Sequence, residues 1–467
     1  MTGVGERPVC HAAGSGALED VSRYIDAQTE RFVEDLRECV RHPSETGRLA
    51  DQQACAAYLV ALARDAGWTA EAIAVDDLAP IVYASCPGPP GGKQLLLYSH
   101  YDVVPAGPPE EWSHPPYAAT RVDGRVVGRG ATDAKANALA FLKVVESFRA
   151  TRGQPPCGLV LILDGEEERG SPNLAAFVDR YRNRLGADAA LSFDGAIDPR
   201  GVPKIGLGTS GMLYVELSAD GAPTELHSAG ARLYPNPAWR LIWALASIKA
   251  ADERIVIDGF FDDVEGPTAR DRALMAAMSW DDALVKRETG VTQFVLGTQG
   301  AEALERLLFQ PSATVCGIVS GYVGDGPKGI VPNRAAAKLE FRLVPRQTPD
   351  RALALLRSHL DRLGFHDVGV RALAAVETAK TDPDSAIARA VVAAARTLYG
   401  DPIVKPTEEY AGRQGVWLGN RLGMPGVGTG IGPPGHRGHA TDEFVTVDHY
   451  VRGIKFAAAI FVQFAAL

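Results

Sequence analysis

The sequence predicts an α/β protein with a mostly parallel sheet covered by helices, interrupted by an inserted α+β domain. In the first half, short apolar runs such as 158–164 alternate with amphipathic stretches such as 18–40, which is typical of a parallel sheet covered on both faces. From about Gly208 the pattern changes, because 212–218 alternates apolar and polar residues like a half-exposed antiparallel strand. The chain of 467 residues also exceeds one ordinary core, so we expect two domains.

The first domain is predicted to comprise residues 1–208 and 378–467. Apolar residues at helical spacing predict its helices, and short continuous apolar runs predict its buried strands. The predicted helices are 18–40, 52–66, 133–148, 172–185, 384–398 and 447–464. The predicted strands are 80–85, 94–99, 158–164, 187–193 and 426–430.

Residues 209–377 are predicted to form the inserted domain. Its strands show the alternation of an antiparallel sheet that has one solvent-facing side. The predicted strands are 212–218, 313–320, 335–344 and 368–376, and the predicted helices are 237–249 and 349–363.

Composition and charge exclude several classes of function. The net charge of −9, without a run of Lys or Arg, argues against a nucleic-acid partner or an anionic membrane surface. The six cysteines form no C-x-x-C pair, which argues against a zinc-finger site. Residues 1–16 lack the pattern of a signal peptide, and no run of about 18 apolar residues could span a bilayer. We therefore expect a cytoplasmic enzyme.

Side chains that can bind metal follow three of the predicted strands. His100 and Asp102 follow the strand that ends near residue 99, Glu167 and Glu168 follow the strand that ends at residue 164, and Asp194 follows the strand that ends at residue 193. Because ligands bind beyond the carboxyl ends of parallel strands, we expect these side chains to lie close together.

Taken singly, most of these residues have alternatives. His100 and Asp102 face the same side of an extended segment, so they are either a metal-binding imidazole with its supporting carboxylate or a surface pair. Asp133, at a predicted helix start, is either a helix cap or a ligand. His439 is either a ligand or an ordinary loop histidine, and His436 competes with it three residues away.

The acidic run 166–168 is more informative. Adjacent carboxylates repel one another unless cations compensate them, although a solvated acidic turn or neutralisation by Arg169 remains an alternative. Imidazoles, several carboxylates and one spare carboxylate are what a hydrolase with two metal ions requires. The set therefore predicts a dinuclear-metal hydrolase.

Seven segments together resemble the zinc aminoacylase, glutamate carboxypeptidase and dipeptidase family of metallopeptidases. Within that family the chain is most similar to the carnosinase-type dipeptidases, and the resemblance covers nearly the whole chain. The segments are His100-Tyr-Asp102-Val-Val-Pro105, 112–117 (WSHPPY), 128–135 (GRGATDAK), 167–171 (EERGS), 226–228 (LHS), 341–345 (FRLVP) and His439-Ala-Thr-Asp-Glu443.

The resemblance implies a set of five metal ligands. It implies that His100 and Asp194 hold one ion, that Glu168 and His439 hold the other, and that Asp133 bridges both. The expected ions are two zinc ions, although manganese and cobalt also suit such ligands. The resemblance further implies a cis peptide after Asp133.

The resemblance also implies which residues move the proton. Glu167 is expected to be the general base, which takes a proton from the bridging water and passes it to the leaving nitrogen. Asp102 is expected to support His100. This agrees with general chemistry, because two dications lower the pKa of a water and a nearby carboxylate completes its deprotonation.

The inserted domain is expected to act as a lid and dimerisation domain. By resemblance, His227 stabilises the oxyanion and Arg342 contacts the substrate, with the histidine reaching the active site of a neighbouring subunit. We therefore expect a homodimer formed through the lid domains, and closure of the lid during turnover.

Asp194 bears on the substrate. In similar proteins an aspartate there accompanies dipeptidase and aminopeptidase activity, so we expect cleavage of a small peptide next to a free amino terminus. An N-acyl amino acid deacylase with the same metal site is the alternative. A non-catalytic binding protein is a remote alternative, and the complete ligand set argues against it.

Two departures from the family pattern lie on the substrate side. Gly329 replaces a threonine of the relatives, and Trp417, within 413–417, occupies a position where a small hydroxyl residue is expected. These departures lead to the hypothesis that the substrate has a modified C-terminal side or an apolar group that stacks on Trp417.

Overall fold

The computed structural model describes residues 12–412 and 414–467. The chain divides into two compact units. The first unit consists of Met1–Leu207, Thr381–Val404 and Arg413–Leu467, and the second of Gly208–Lys380 and Lys405–Gly412.

The α-helices of the described residues are, in chain order, α1 (Ala12–Ala27), α2 (Thr29–Arg41), α3 (Leu49–Asp65), α4 (Asn137–Arg152), α5 (Leu174–Tyr181), α6 (Pro237–Ile248), α7 (Ala269–Ala277), α8 (Asp282–Thr289), α9 (Gly300–Phe309), α10 (Pro349–Arg362), α11 (Ala386–Leu398), α12 (Gln414–Leu422) and α13 (Val447–Ala466).

The β-strands are β1 (Thr69–Ile73), β2 (Ile81–Cys86), β3 (Gln94–His100), β4 (Thr120–Val122), β5 (Arg125–Val127), β6 (Gly158–Asp164), β7 (Ala189–Phe193), β8 (Lys204–Gly206), β9 (Gly208–Thr209), β10 (Gly211–Asp220), β11 (Leu226–His227), β12 (Ser312–Ser320), β13 (Ile330–Val331), β14 (Arg334–Leu343), β15 (Val368–Val376), β16 (Ala379–Lys380), β17 (Ile403–Lys405), β18 (Gly426–Thr429) and β19 (Phe444–Thr446).

The first unit contains an eight-stranded mixed sheet in the order β1-β2-β6-β3-β7-β18-β8-β17. Its central pairs, β6–β3, β3–β7 and β7–β18, are parallel. The flanking pairs β1–β2, β2–β6 and β18–β8 are antiparallel. The prediction of a mostly parallel sheet is therefore correct only for the centre. The short loop from β1 to β2 permits only an antiparallel pair, since a parallel pair needs a long crossover.

Apolar side chains cover both faces of the central strands. Every residue of β6 and β7 is buried, as their continuous apolar runs predict. On one face, Phe193 of β7 packs against Phe141 of α4 and Phe456 of α13, with ring centroids 4.6 and 5.9 Å apart. This rigid centre fixes the positions of the strand ends.

The second unit contains an antiparallel sheet in the order β12-β14-β10-β15. Along β10, buried and partly buried residues alternate, and Leu213, Val215 and Leu217 face a core that α6 and α10 complete. This confirms the predicted inserted α+β architecture. In the described part of the chain, every helix falls short of the length or apolar character that a membrane crossing requires.

Candidate metal centre

Two groups of metal-binding side chains in the first unit share Asp133. One group is His100, Asp133 and Asp194, and the other is Asp133, Glu168 and His439. His100 Nε2 lies 3.1 Å from Asp133 Oδ1 and 3.4 Å from Asp194 Oδ1. His439 Nε2 lies 3.1 Å from Asp133 Oδ2 and 3.1 Å from Glu168 Oε2. The two oxygens of Asp133 therefore face different histidines.

These distances fit the ligands of divalent metal ions. In a tetrahedral site with metal–ligand bonds of about 2.0–2.1 Å, neighbouring ligand atoms lie roughly 3.3–3.4 Å apart. The distances of 3.1–3.4 Å within each group are close to that value. Imidazole nitrogens and carboxylate oxygens are also the donors that zinc, manganese and cobalt accept. The two groups can therefore each hold one ion, with Asp133 common to both.

The central parallel strands bring three of these residues together. His100 is the last residue of β3, and Asp194 directly follows the neighbouring strand β7. Glu168 lies in the short helical turn Glu167–Arg169, which follows β6 on the other side of β3. The three residues thus lie at the carboxyl ends of neighbouring strands, as the sequence pattern predicts.

Asp133 does not cap a helix. Its backbone angles, φ −111° and ψ 92°, are non-helical, and α4 begins only at Asn137. The peptide between Asp133 and Ala134 is cis, which confirms the expectation drawn from the resemblance. The predicted helix start at residue 133 is wrong, because the chain forms an irregular turn over Ala131–Ala136 that directs Asp133 toward the histidines.

The buried carboxylate of Asp102 has two roles. Its Oδ1 lies 3.3 Å from His100 Nδ1 and accepts a hydrogen bond from the main-chain N–H of Glu167 at 3.1 Å. Its Oδ2 accepts hydrogen bonds from the main-chain N–H of Glu168 and from Thr46 Oγ1, each at 3.1 Å. The sequence predicted the contact with His100 but not the support of the acidic turn.

The surroundings of His100 define its tautomer. Nδ1 faces two acceptors, the main-chain oxygen of Asp102 at 3.1 Å and the carboxylate of the same residue. The neutral ring therefore carries its proton on Nδ1, and Nε2 offers a lone pair toward Asp133 and Asp194. This is the arrangement of a metal-binding imidazole.

The site carries an excess of negative charge. The carboxylates of Asp133 and Glu168 raise the pKa of His439 to about 10. Burial acts to lower the pKa of His100, but the three carboxylates around it raise this pKa well above its usual range. A field that holds protons on imidazoles also attracts divalent cations.

Glu167 has the environment of a base. Burial raises the pKa of its carboxyl group well above the usual range, against the opposing effect of His100. The negative charges of Asp194, Asp102 and Glu168 raise it further. A carboxylate with a raised pKa accepts a proton more readily, which suits a general base.

Glu166 points away from both groups. Its side chain is buried, its Oε1 accepts a hydrogen bond from the main-chain N–H of Ala79 at 2.9 Å, and Arg169 Nε lies 3.6 Å from its Oε2. Of the acidic run, Glu168 belongs to a metal-binding group, whereas Arg169 partly compensates Glu166. Compensation by metal cations therefore applies to Glu168, and neutralisation by Arg169 applies to Glu166.

The comparisons with known proteins decide the family. The model of peptidase family M20/M25/M40 matches residues 96–463. The chain belongs to this peptidase family. As a member of M20/M25/M40 it is an enzyme, a metal-dependent peptidase, and its two residue groups that can hold metal agree with that class.

Three relatives illustrate its place among the M20/M25/M40 peptidases. The β-Ala-His dipeptidase of Rattus norvegicus is 26% identical over an alignment that covers 97% of this chain and 96% of the relative. The cysteinylglycine-S-conjugate dipeptidase of Corynebacterium striatum is 29% identical and covers 68% and 69%. The crystal structure of the M20 metallo-carboxypeptidase Sso-CP2 of Sulfolobus solfataricus matches with a TM-score of 0.83 and 31% identity, covering 93% and 99%.

The remaining residues expected from the M20/M25/M40 resemblance lie in the second unit. His227 is exposed at the end of β11, and its Nδ1 accepts a hydrogen bond from the main-chain N–H of Ala229 at 3.0 Å. Arg342 lies on β14, where its Nε donates to Glu340 Oε1 at 2.6 Å. Their roles remain predictions.

In the part of the chain that the structure describes, His439 belongs to a group that can bind metal, whereas His436 does not. His436 instead accepts a hydrogen bond from the main-chain N–H of Gly438 at its Nδ1, 3.0 Å away. His436 thus shapes the loop that carries His439.

The hypothesis of substrate stacking on Trp417 is wrong. The indole lies on α12 with only 8% of its surface exposed, in the apolar cluster that contains Leu418, Phe177 and Tyr98. Its size serves packing beneath the sheet, and it offers no open face to a substrate. Arg413, from the same stretch, lies outside the described residues.

One buried residue of the site escaped the sequence analysis. Glu443 is the last residue of the His439 motif, and its carboxylate accepts hydrogen bonds from the turn that carries Asp133. The two partners are 310 residues apart in the chain, so no local pattern signals the contact.

Proposed function

We propose that the protein is a dipeptidase that hydrolyses short peptides with a free amino terminus and uses two divalent metal ions, preferably zinc. The observation that carries this proposal is the pair of metal-binding groups that share Asp133. The dipeptidase names of the two relatives described above support the substrate class.

The five ligands are assigned as follows. His100 and Asp194 would hold one ion, Glu168 and His439 would hold the other, and Asp133 would serve both. The distances of 3.1–3.4 Å between the ligand atoms support this assignment. Zinc is preferred because nitrogen and carboxylate donors in this number suit it well.

Glu167 is the proposed general base. Two divalent ions in this site would polarise the scissile carbonyl and lower the pKa of a water molecule. Glu167 accepts a proton at a carboxylate oxygen and passes it to the leaving nitrogen. Its raised pKa and its place between Glu166 and the ligand Glu168 support this role. Asp102 holds the main chain of Glu167 and thereby aims its side chain.

Residues of the second unit are proposed to bind the substrate. Because His227 Nδ1 accepts from Ala229, the neutral ring carries its proton on Nε2, from which it can donate to the oxyanion. Arg342, oriented by Glu340, has the planar fork that binds a substrate carboxylate. In this proposal the second unit closes as a lid, and His227 serves the site of a neighbouring subunit.

A homodimer through the second unit is also proposed, and the exposed apolar surface of that unit supports it. On α6, Trp239 and Trp243 stack at 6.0 Å and are 54% and 56% exposed, with Ile242 beside them. The edge strand β12 exposes Ile318 and Val319 at 58% and 61%. Exposed apolar surfaces and unpaired strand edges are typical of subunit interfaces.

A cytoplasmic location is also proposed. The five described cysteines are free thiols, which is typical of proteins in reducing compartments.

One observation favours a second candidate function. The M20 structure described above is named a metallo-carboxypeptidase. A carboxypeptidase would accept a blocked amino terminus but would require a free carboxylate, whereas the proposed dipeptidase requires a free amine.

A hydrolysis panel distinguishes the candidates. Protein loaded with zinc or manganese would receive β-Ala-His, Cys-Gly and Ala-Ala, each also N-acetylated and C-terminally amidated, together with N-acetylalanine, with products measured by mass spectrometry. The proposal predicts cleavage only of compounds with a free amine. Cleavage of N-acetyl dipeptides would instead indicate a carboxypeptidase, and cleavage of N-acetyl amino acids alone would indicate a deacylase.

A further inference from the structure

Glu443 is a buried carboxylate that holds the turn of Asp133. Its Oε1 accepts hydrogen bonds from the main-chain N–H groups of Thr132 and Asp133, each at 2.9 Å. Its Oε2 accepts from the main-chain N–H of Gly130 at 3.0 Å and from Arg129 Nη1 at 2.7 Å. All four partners are donors, so only an ionised carboxylate satisfies them together.

The main chain around Glu443 is bound to the same segment. Its carbonyl oxygen accepts from the N–H of Gly128 at 2.9 Å, and Thr132 Oγ1 donates to the carbonyl of Phe444 at 2.5 Å. Phe444 also pairs with Val127 where β19 meets β5. Side chain and backbone therefore clamp residues 443–444 onto residues 127–133.

The loop before Glu443 needs such a clamp. Three of its non-glycine residues, Arg437, His439 and Asp442, have φ values of 60°, 63° and 58°. This left-handed region is unfavourable for residues with a side chain, so the loop keeps its shape only while its ends are held. The Asp442 carboxylate accepts from Ser113 N and Oγ at 2.7 and 2.9 Å, and Glu443 supplies the other anchor.

We propose that Glu443 is a positioning residue of the metal centre, which fixes Asp133 and His439 relative to each other. Glu443 touches neither the ions nor the substrate. It acts through the main-chain N–H of Asp133 and through the loop in which His439 lies four residues earlier. This inference rests on the proposed ligand roles of Asp133 and His439.

A purely structural role for Glu443 is the competing explanation. Glu443 and Arg129 form a buried ion pair, and removal of one partner leaves the other charge uncompensated. The double variant separates the two roles. R129M/E443Q removes both charges and restores neutrality. The glutamine amide, however, has an acceptor on only one of its two terminal atoms, whereas the N–H groups of the turn bind both carboxylate oxygens of Glu443.

The test compares the metal-stripped proteins R129M, E443Q and R129M/E443Q with the wild type. Zinc binding is measured by calorimetry, zinc content by elemental analysis, and thermal unfolding of the metal-free proteins serves as the structural readout. D271N is the matched control, because Asp271 is an equally buried, ion-paired carboxylate of the second unit.

The positioning role predicts that zinc affinity falls about 10–100-fold in E443Q and stays low in R129M/E443Q, although the double variant unfolds at a higher temperature than E443Q. R129M and D271N should bind two zinc ions within a few-fold of the wild-type affinity. If E443Q does not fold, the double variant carries the test.

Wild-type affinity in E443Q, or recovery of affinity in the double variant, would overturn the positioning role and leave Glu443 as an ion-pair partner. If the wild type itself binds fewer than two zinc ions, the proposed dinuclear function fails instead.

Discussion

Asp102 Oδ1 accepts a hydrogen bond from the main-chain N–H of Glu167 over 3.1 Å. The same oxygen lies 3.3 Å from His100 Nδ1. One buried carboxylate therefore orients a proposed metal ligand and places the proposed base. Metal binding and proton transfer share this support, so a change at Asp102 should disturb both.

Asp102→Asn should lower zinc affinity about 10–100-fold and also lower kcat, because the amide presents a donor where the carboxylate accepted. Zinc binding by calorimetry and kcat for β-Ala-His or Cys-Gly would measure the two effects. Thr46→Val is the matched control, since it removes only one outer contact of the carboxylate and should change both values less. A loss of kcat without any loss of zinc affinity would contradict the shared support.

Glu167→Gln should retain two metal ions and the fold but lose turnover by about 10²–10⁴-fold, because the ligands are untouched while the proton acceptor is gone. Elemental analysis and kcat of the same preparation check this. Glu166→Gln is the control and should remain active, since its side chain binds the main chain of Ala79. A nearly normal rate in Glu167→Gln together with an inactive Glu166→Gln would show that Glu166, and not Glu167, is the general base.

Trp417→Ser should lower the free energy of unfolding by about 3–5 kcal/mol, because it leaves a cavity in the apolar cluster of the first unit. Its preference between free and amidated dipeptides should not change. Denaturant unfolding and the hydrolysis panel measure these two properties, and Leu418→Ala in the same cluster gives a reference for a core cavity. A changed preference at unchanged stability would restore the stacking hypothesis.

Trp243→Glu should convert a dimer into a monomer, because it places a charge in the centre of the exposed apolar face of α6. Light scattering after size exclusion should give twice the chain mass of 49.6 kDa for the wild type and the single mass for the variant. Val291→Glu changes an exposed apolar residue of the same unit outside α6 and β12, and it should remain dimeric. A monomeric wild type would exclude the proposed interface.

The convergence at the strand ends could be predicted from the sequence. The apolar runs of β3, β6 and β7 are continuous, and each is followed by a residue that can bind metal. Such runs predict buried parallel strands, and ligands bind beyond the carboxyl ends of parallel strands. These two facts are sufficient to predict that His100, Glu168 and Asp194 lie close together. The seven-segment resemblance added His439 and the cis peptide after Asp133.

Other features depend on tertiary contacts that no local pattern shows. β1 is short and mostly exposed, so its sequence lacks the apolar run that would predict a strand pairing at the sheet edge. The Ala-rich stretch after Asp133 suggests a helix, whereas hydrogen bonds to Glu443 hold an irregular turn there. Trp417 was interpreted by its position in a motif, although its burial depends on the strands packed above it.

The central claim is that two metal ions share Asp133, and anomalous diffraction tests it most directly. Crystals grown with zinc would be measured on both sides of the zinc absorption edge. We predict two anomalous peaks, one bounded by His100 and Asp194 and the other by Glu168 and His439, with Asp133 contacting both. A single peak, or peaks away from Asp133, would contradict the account.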